Sequence, residues 1–195
     1  AFGTSALLTV TTGTANAAFG RNSLQLNTGS YNTALGQECM NVNTSGGYNT
    51  AVGTYALDAN TTASNNAAFG YNTLGANTTG DQNTAVGANA LDANTTAGYN
   101  TVVGYAAMTD NTTGAHNTAL GRRALFDNTT ASYNVAIGSG VMELNTTGAN
   151  NVAIGYEALS ANTTASGNTA VGQAALTANT TGWAAVAVGN NALLA

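Results

Sequence analysis

The chain has 195 residues, and only 6% of them are Asp, Glu, Lys or Arg, against about 25% in ordinary soluble domains. Eight acidic residues and three arginines give a formal net charge of −5, which argues against a nucleic-acid partner because that class of protein clusters Lys and Arg. One cysteine and one histidine exclude a disulfide framework and a multi-cysteine or multi-histidine metal site, so no metal or cofactor is expected. No apolar run approaches the roughly 18 residues that span a bilayer, so no membrane insertion is predicted for this segment.

A repeat with the consensus N-T-A-V-G-x-x-A-L-x-A-N-T-T-G/A-x-x occupies residues 1–195 as a single array, with no linker or shift in composition. Adjacent copies are 17 residues apart, except that 16 residues separate Gly20 from Gly36. The array begins and ends in mid-repeat, so we expect it to be a piece of a longer protein. One glycine marks each copy, and these marker glycines are Gly3, Gly20, Gly36, Gly53, Gly70, Gly87, Gly104, Gly121, Gly138, Gly155, Gly172 and Gly189.

The length of the repeat predicts one turn of a parallel β-solenoid. Seventeen residues are too few for a pair of helices but suit two turns and two short strands of about four or five residues. The β-branched residues of T-A-V favour a strand, and the Asn-Thr-Thr and Gly positions favour turns. We therefore expect an all-β fold, a β-roll of about eleven 17-residue coils that is roughly 50 Å long at ~4.8 Å per coil.

Two columns of the repeat are predicted to form the interior. The leucine column, four residues after each marker glycine, contains only Leu or Met, and the preglycine column, directly before each marker glycine, contains only Phe, Leu, Val or Ile. Period-two alternation then turns the alanine column, two residues before each marker glycine, outward. It is Ala in every copy except Val102, which predicts a strand buried on both faces and pressed against another subunit. A monomeric solenoid with a thin alanine face is the alternative.

Asparagine forms two regular columns that are predicted to be hydrogen-bonded ladders. The first opens each Asn-Thr-Thr turn, from Asn27 to Asn179, and the second lies four residues before the marker glycines, from Asn16 to Asn168. Stacked amides can satisfy one another and the turn backbone. N-glycosylation of the Asn-Thr-Thr sequons is the alternative, but the second column is equally regular without forming sequons. The residue after Thr-Thr alternates between Gly and Ala, so that position is not expected to require a positive φ.

The sequences V-A-I-G-x-x-x-M at Val135 to Met142 and V-A-I-G-x-x-A-L at Val152 to Leu159 resemble the head repeats of trimeric autotransporter adhesins. The chain is still more similar to the N-T-A-V-G…N-T-T-G arrays of phage tail fibres and related bacterial surface fibres. These resemblances imply a left-handed parallel β-roll packed as a homotrimer around a common axis, with no catalytic residues in the repeats.

The single histidine and the single cysteine are weak candidates for chemistry. His116 shares a variable turn column with Tyr48, Tyr99 and Tyr133, and we expect it to be solvated. Cys39 stands where other copies have Ala, Ser, Thr or Val. A small buried thiol is therefore predicted rather than a nucleophile, because no His lies near it or at an equivalent position.

The charged residues are too dispersed to predict a reaction centre. Asp58, Asp92 and Glu143 share a variable column five residues after the marker glycines, which we interpret as free surface, and their neighbours in that column are neutral. Arg122 and Arg123 are adjacent in sequence, and two positive charges are too few to hold a polyanion.

Aromatic residues in the turn columns are the best candidates for contact with a ligand. Rings in exposed turns could stack on sugars or on a receptor, or could instead cover the coil edge or the subunit seam. All eight tyrosines lie in variable turn columns, and the candidate surface contacts are Tyr48, Tyr99, Tyr133, Tyr71, Tyr105, Tyr156 and Trp183.

These patterns predict a structural or adhesive fibre segment rather than an enzyme. We expect an extracellular homotrimeric rod in a virion tail fibre or on a bacterial cell surface, which projects a host- or surface-binding tip toward a glycan or receptor. An ice-binding β-solenoid that displays the Thr arrays after each Asn is the alternative. Catalysis is the weakest interpretation, because acids, bases and nucleophiles do not gather at any one place.

Overall fold

The computed structural model describes residues 1–9 and 12–194, which form a parallel β-solenoid. One strand per coil joins a single eleven-stranded sheet in sequence order. The all-β solenoid prediction is confirmed, but the expectation of two longer strands per coil is wrong. Each coil has one three-residue strand: β1 Ala17–Phe19, β2 Thr33–Leu35, β3 Thr50–Val52, β4 Ala67–Phe69, β5 Thr84–Val86, β6 Thr101–Val103, β7 Thr118–Leu120, β8 Val135–Ile137, β9 Val152–Ile154, β10 Thr169–Val171 and β11 Val186–Val188.

Equivalent residues of successive coils pair in register along the whole array. In β5 and β6, Thr84 pairs with Thr101 and Val86 with Val103. The turns extend the same ladder, because the Leu91 amide donates to the Ala107 carbonyl at 3.0 Å. Hydrogen bonds therefore join coils through turns and strands alike, which explains why a coil with so little strand is regular.

The strand faces the opposite way from the sequence prediction. The alanine column, predicted to point outward, is inside: Ala18, Ala85 and Val102 each have no exposed surface. The preglycine column, predicted to be interior, points outward, and Phe19 is 50% exposed. Period-two alternation fits either orientation of the strand. The interior of the narrow coil has room beside the leucine column only for a small side chain, so alanine lies inside. The alanine column is therefore not a surface through which subunits could pack.

The leucine column is buried as predicted, and its backbone explains its composition. Its members have φ between 48° and 56°, a left-handed conformation that strains β-branched residues most. Leu and Met are large enough to fill the coil centre and unbranched at Cβ, whereas Val and Ile do not meet the second condition. Leu24 to Leu159 are fully buried in this column, while Leu193 at its end is exposed.

The marker glycines meet a different backbone requirement. Their φ values lie between 128° and 147°, which L side chains rarely adopt. A Cβ on Gly104 would also overlap the carbonyl oxygen of Gly121 in the next coil. Both restrictions recur along the array, so glycine at this position sets the close stacking of coils.

The first asparagine column forms the predicted ladder from Asn27 to Asn162, but Asn179 does not join it and donates to the Gly182 carbonyl instead. Asn94 Nδ2 donates to Asn77 Oδ1 at 2.8 Å and to the Ala97 carbonyl at 3.0 Å, while Asn94 Oδ1 accepts from Asn111 Nδ2 at 3.0 Å. This direction of donation, from each coil to the one before it, continues from Asn43 to Asn162. The side chains from Asn27 to Asn162 are fully buried, so the ladder satisfies amides that would otherwise be costly inside the coil.

The second asparagine column ties the turns to the strands. Asn83 Nδ2 donates to the Ala97 carbonyl at 2.9 Å, and Asn83 Oδ1 accepts from the Asn100 backbone amide at 3.1 Å. The column stops where Ala185 replaces Asn. In the coil before that replacement, Asn162 Oδ1 and Asn168 Nδ2 are buried without a hydrogen-bond partner. The two asparagine columns are thus parts of one network and end together.

The alternating Gly and Ala after Thr-Thr have no positive φ, as predicted. Glycine is nevertheless restricted there, because a Cβ on Gly114 would overlap the carbonyl oxygen of Ala131. The Gly copies therefore provide close approach of two backbones rather than conformational freedom. This restriction gives the two-coil period of the sequence a structural basis.

Candidate interaction surface

The outward face of the sheet is an uncharged strip along the rod. It consists of the preglycine column and the strand-start column, the latter lying three residues before each marker glycine, as in Thr84 and Val135. These two columns contain only Ala, Thr, Val, Leu, Ile and Phe, although eight acidic residues lie elsewhere in the chain. Phe69, Val103 and Ile154 remain exposed. We call this strip the sheet face; depletion of charge together with exposed apolar groups is typical of interface cores.

A column of rings borders the sheet face on one side. This ring column lies five residues before the marker glycines, where Tyr48 and Tyr99 have φ of 59° and 64°. The left-handed backbone directs successive side chains to the same place on successive coils. The rings of Tyr31 and Tyr48 stack with centroids 4.9 Å apart and planes 12° apart.

His116 belongs to the ring column and is more than a solvated side chain. It lies between Tyr99 and Tyr133, with centroid separations of 4.8 and 5.0 Å and interplanar angles of 3° on both sides. The three residues are exposed, so their edges face solvent while the inner ring faces cover one another. The sequence placed these residues in one column, but the stacking of their rings was not predicted. The shared column was the available evidence, because equivalent positions lie above one another on successive coils.

The remaining candidate aromatics do not join the ring column. Tyr71, Tyr105 and Tyr156 are exposed one residue after their marker glycines, where two or three coils separate neighbours. Tyr71 meets Tyr55 edge to face, with centroids 6.0 Å apart. Trp183 is 72% exposed in the last Thr-Thr turn. The seven predicted surface contacts thus divide among three places.

The two threonines of each turn have different environments. The first has its hydroxyl occupied, since Thr95 Oγ1 donates to the Thr112 carbonyl at 3.2 Å and its counterparts repeat the contact. The second, represented by Thr96 and Thr113, is exposed in a column outside the strands. The threonine array after Asn is therefore one exposed row beside one hydrogen-bonded row.

The eight acidic residues all lie outside the two columns of the sheet face. Burial is the main factor that raises the pKa of Asp58, Asp92 and Asp127, and neighbouring acids on adjacent coils act in the same direction. The variable column that contains Asp58, Asp92 and Glu143 is half-buried for most of its length rather than a free surface. Arg123 binds Glu143 at 2.8 Å and lies 4.3 Å from the Phe126 ring centroid.

Cys39 is the buried thiol that the sequence predicted. It has no exposed surface, and its Sγ lies 3.3 Å from the Ala51 carbonyl oxygen. Burial raises its pKa to about 12, so the thiolate needed for nucleophilic attack is scarce at neutral pH. In the equivalent position of other coils, Ser23 Oγ donates to the Ala34 carbonyl of the next strand, whereas Thr73 Oγ1 donates to the carbonyl of the next marker glycine, Gly87.

Within residues 1–9 and 12–194, no group of three His, Cys, Asp or Glu side chains is arranged to hold a metal ion. A surface depression of about 230 Å³ is lined by Glu143, Leu144, Glu157, Ser160 and Ala161, away from the ring column and the sheet face. The described residues contain no helix long and apolar enough to cross a membrane. No protein-family model, curated protein or solved structure matches this chain.

Proposed function

We propose that this chain is a structural segment of an extracellular fibre, in which three copies associate through their sheet faces to form a stiff rod. The observation that carries the proposal is the sheet face, which is uncharged in every coil and exposes Val, Leu, Ile and Phe side chains along the array. The apolar preglycine column within this strip is costly to leave in water and inexpensive to cover with a like surface. The rod is assigned to a virion tail fibre or a bacterial surface fibre that presents a tip to a host or surface.

The geometry of the coil supports stiffness as the useful property. Strand pairs, turn hydrogen bonds and the asparagine ladder all run along the rod axis. Bending the rod would lengthen these contacts on one side in every coil. The choice of three copies rather than two rests on the resemblance of the repeats to fibre and adhesin arrays, and the measured mass distinguishes the two.

The test is the mass of the chain in solution before and after the sheet face is charged. Multi-angle light scattering should give three times the chain mass of 19.2 kDa. The double variant Val86→Glu/Val103→Glu should shift to the monomer mass, because two carboxylates per chain would be buried in each interface. The matched control is Thr79→Glu/Thr96→Glu, which adds the same charge to the exposed turn row of neighbouring coils and should remain trimeric. A monomeric parent chain, or equal dissociation of both variants, would contradict the proposal.

Adhesion is the second part of the proposal and is assigned to the exposed aromatic residues. Their ring edges and outer faces offer stacking and hydroxyl groups to a glycan or a receptor. A glycan array should lose signal when Tyr71, Tyr105 and Tyr156 are replaced by Ser, whereas Phe at the same positions should preserve stacking. Unchanged binding after the Ser replacements would refute this assignment without affecting the structural role.

Ice binding is the alternative function, and the exposed row of second threonines favours it. Thr96, Thr113 and Thr130 repeat at the spacing of the coils, which gives a regular row of hydroxyl and methyl groups. Thermal hysteresis of the purified chain, lost on replacing these threonines by Lys, would support the alternative. Absence of hysteresis in the parent chain would exclude it.

A further inference from the structure

Tyr31 and Tyr48 form an isolated pair of stacked phenols. Their ring centroids are 4.9 Å apart, their planes differ by 12°, and the side chains are 54% and 62% exposed. The two residues have nearly equal φ, 61° and 59°, so their backbones present the rings from equivalent points on adjacent coils. The backbone of the solenoid therefore holds the two rings next to each other, and both phenol groups are accessible to a reagent in solvent.

We propose that Tyr31 and Tyr48 are a site of oxidative modification, at which a haem peroxidase using hydrogen peroxide joins them as dityrosine. Each phenol loses one electron and its hydroxyl proton to give a tyrosyl radical. The radicals couple through one ring carbon ortho to each phenol oxygen, and the hydrogens on those carbons move to the oxygens to restore aromaticity. One new carbon–carbon bond is formed, two hydrogen atoms leave in total, and one hydrogen peroxide is reduced to two waters.

The other aromatic residues are less suited to this reaction. In the ring column, His116 separates Tyr99 from Tyr133, so these phenols are two coils apart. Tyr55 and Tyr71 meet edge to face at 6.0 Å. Among the described residues, only the Tyr31 and Tyr48 pair has two stacked phenols on successive coils, which brings two radical carbons together without an intervening side chain.

The location of the pair gives the cross-link a structural consequence. Tyr31 lies in the 16-residue coil between Gly20 and Gly36, and Tyr48 lies in the 17-residue coil that follows. A bond between them would close a short loop of chain and restrict the unfolded state at the irregular coil. Oxidation would thus lock together the coils where the repeat length changes, a function distinct from the sheet-face association proposed above.

The test uses the full chain carrying Tyr55→Phe, so that only the two tyrosines of interest remain in the relevant peptides. After treatment with peroxidase and limiting hydrogen peroxide, cleavage at acidic residues gives peptides 1–38 and 39–58, each with one tyrosine. We expect these peptides to be joined with the loss of two hydrogen atoms. Their yield should exceed that of any other tyrosine pair by about tenfold, because adjacency acts as a high effective concentration. The preference should disappear in denaturant.

Two controls separate the proposed pair from general tyrosine oxidation. Adding Tyr48→Phe should remove most dityrosine fluorescence, whereas adding Tyr105→Phe should not, and circular dichroism should be unchanged in both. Mixing isotopically labelled and unlabelled chains distinguishes bonds within one chain from bonds between chains. Dityrosine spread evenly over the tyrosines, fluorescence unaffected by Tyr48→Phe, or mixed-label products that reach about half of the total in an equal mixture, as random pairing between chains requires, would overturn the proposal.

Discussion

Changing Asn94 to Asp tests whether the asparagine ladder holds the coils together. The two amide contacts made by Asn94 Nδ2, to Asn77 Oδ1 at 2.8 Å and to the Ala97 carbonyl at 3.0 Å, would become contacts between oxygens. The replacement has almost the same shape, so it creates no cavity. The loss of unfolding free energy therefore reports the replaced amide donor and the buried charge, and not a change in packing.

The magnitude follows from the burial of the site. Asn94 has no exposed surface, and full burial raises a carboxyl pKa by up to about 3–5 units at 1.36 kcal/mol per unit. We expect the Asn94→Asp chain to lose about 4 kcal/mol at pH 7, because the penalty grows by about 1.36 kcal/mol per pH unit only from the unfolded pKa of about 3.9 up to pH 7. That loss is a large part of the roughly 5–15 kcal/mol of a whole domain. Because the folded pKa of the introduced carboxyl is raised, the penalty appears as pH rises above about 4 and is small below it.

Urea unfolding followed by circular dichroism gives the free energy of unfolding at pH 7 and at pH 3.5, and so the pH dependence of the destabilisation. Hydrogen exchange should locate the destabilisation in the coils around residue 94. Asn150→Asp is the matched control, since Asn150 is exposed and adds the same charge in a left-handed position that Asp tolerates. Its cost should stay below about 0.5 kcal/mol. Equal effects of the two substitutions at pH 7, or an Asn94→Asp penalty that does not change with pH, would refute the role of the ladder.

Four further predictions address the coil interior, the thiol, the acids and the turn. Leu91→Val should lower the free energy of unfolding by about 2–4 kcal/mol, from lost volume and left-handed strain, whereas Leu91→Met should cost about 1 kcal/mol or less; equal urea midpoints would contradict this. Native Cys39 should react with maleimide about a hundredfold more slowly than a cysteine replacing exposed Thr96 in a Cys39→Ser chain, and comparable rates would show the thiol to be accessible. Deleting Thr96 should be tolerated within about 1 kcal/mol, because the coil after Gly20 lacks the same residue naturally, whereas deleting Ala85 should disrupt strand register; circular dichroism and melting compare the two. Burial makes the folded chain hold protons more tightly than the unfolded chain, so the Tm should fall between pH 4 and pH 7, and a rising Tm would contradict the assignment to Asp58, Asp92 and Asp127.

The architecture could be predicted from sequence because it depends on repetition. A fixed interval between marker glycines determines which residues stack, whatever the shape of the coil. The leucine column and the first asparagine ladder could be predicted from the residue types in their columns, because a large apolar or an amide side chain kept in nearly every copy indicates a buried, repeated contact. Strand length could not be predicted, because turns that continue the ladder have the same regular composition as strands.

The orientation of the strand could not be obtained from alternation. A strand reading Thr84-Ala85-Val86 has period two whichever side faces inward. The orientation of the strand is determined by the space that remains in the coil after the Leu91 side chain fills its centre. Leu91 reaches the centre because its backbone is left-handed, and the identity of a residue does not reveal such a φ value. The stacking of His116 with its neighbours was missed for a related reason: a variable column suggests free solvent, yet the left-handed backbone still aligns its side chains.

The observed orientation of the strand favours association through the sheet face rather than through an alanine face. With alanine inside, the larger Val, Leu, Ile and Phe side chains are left at the surface of a chain only 19.2 kDa in mass. Covering an exposed side chain of this size contributes on the order of 1 kcal/mol. Seven of the eleven preglycine side chains in β1–β11 are exposed, so they supply about 7 kcal/mol per chain. Association costs about 4–15 kcal/mol per binding event. In the proposed trimer, three chains would release about 20 kcal/mol over two such events, which lies within the range of their association cost without any contribution from charge.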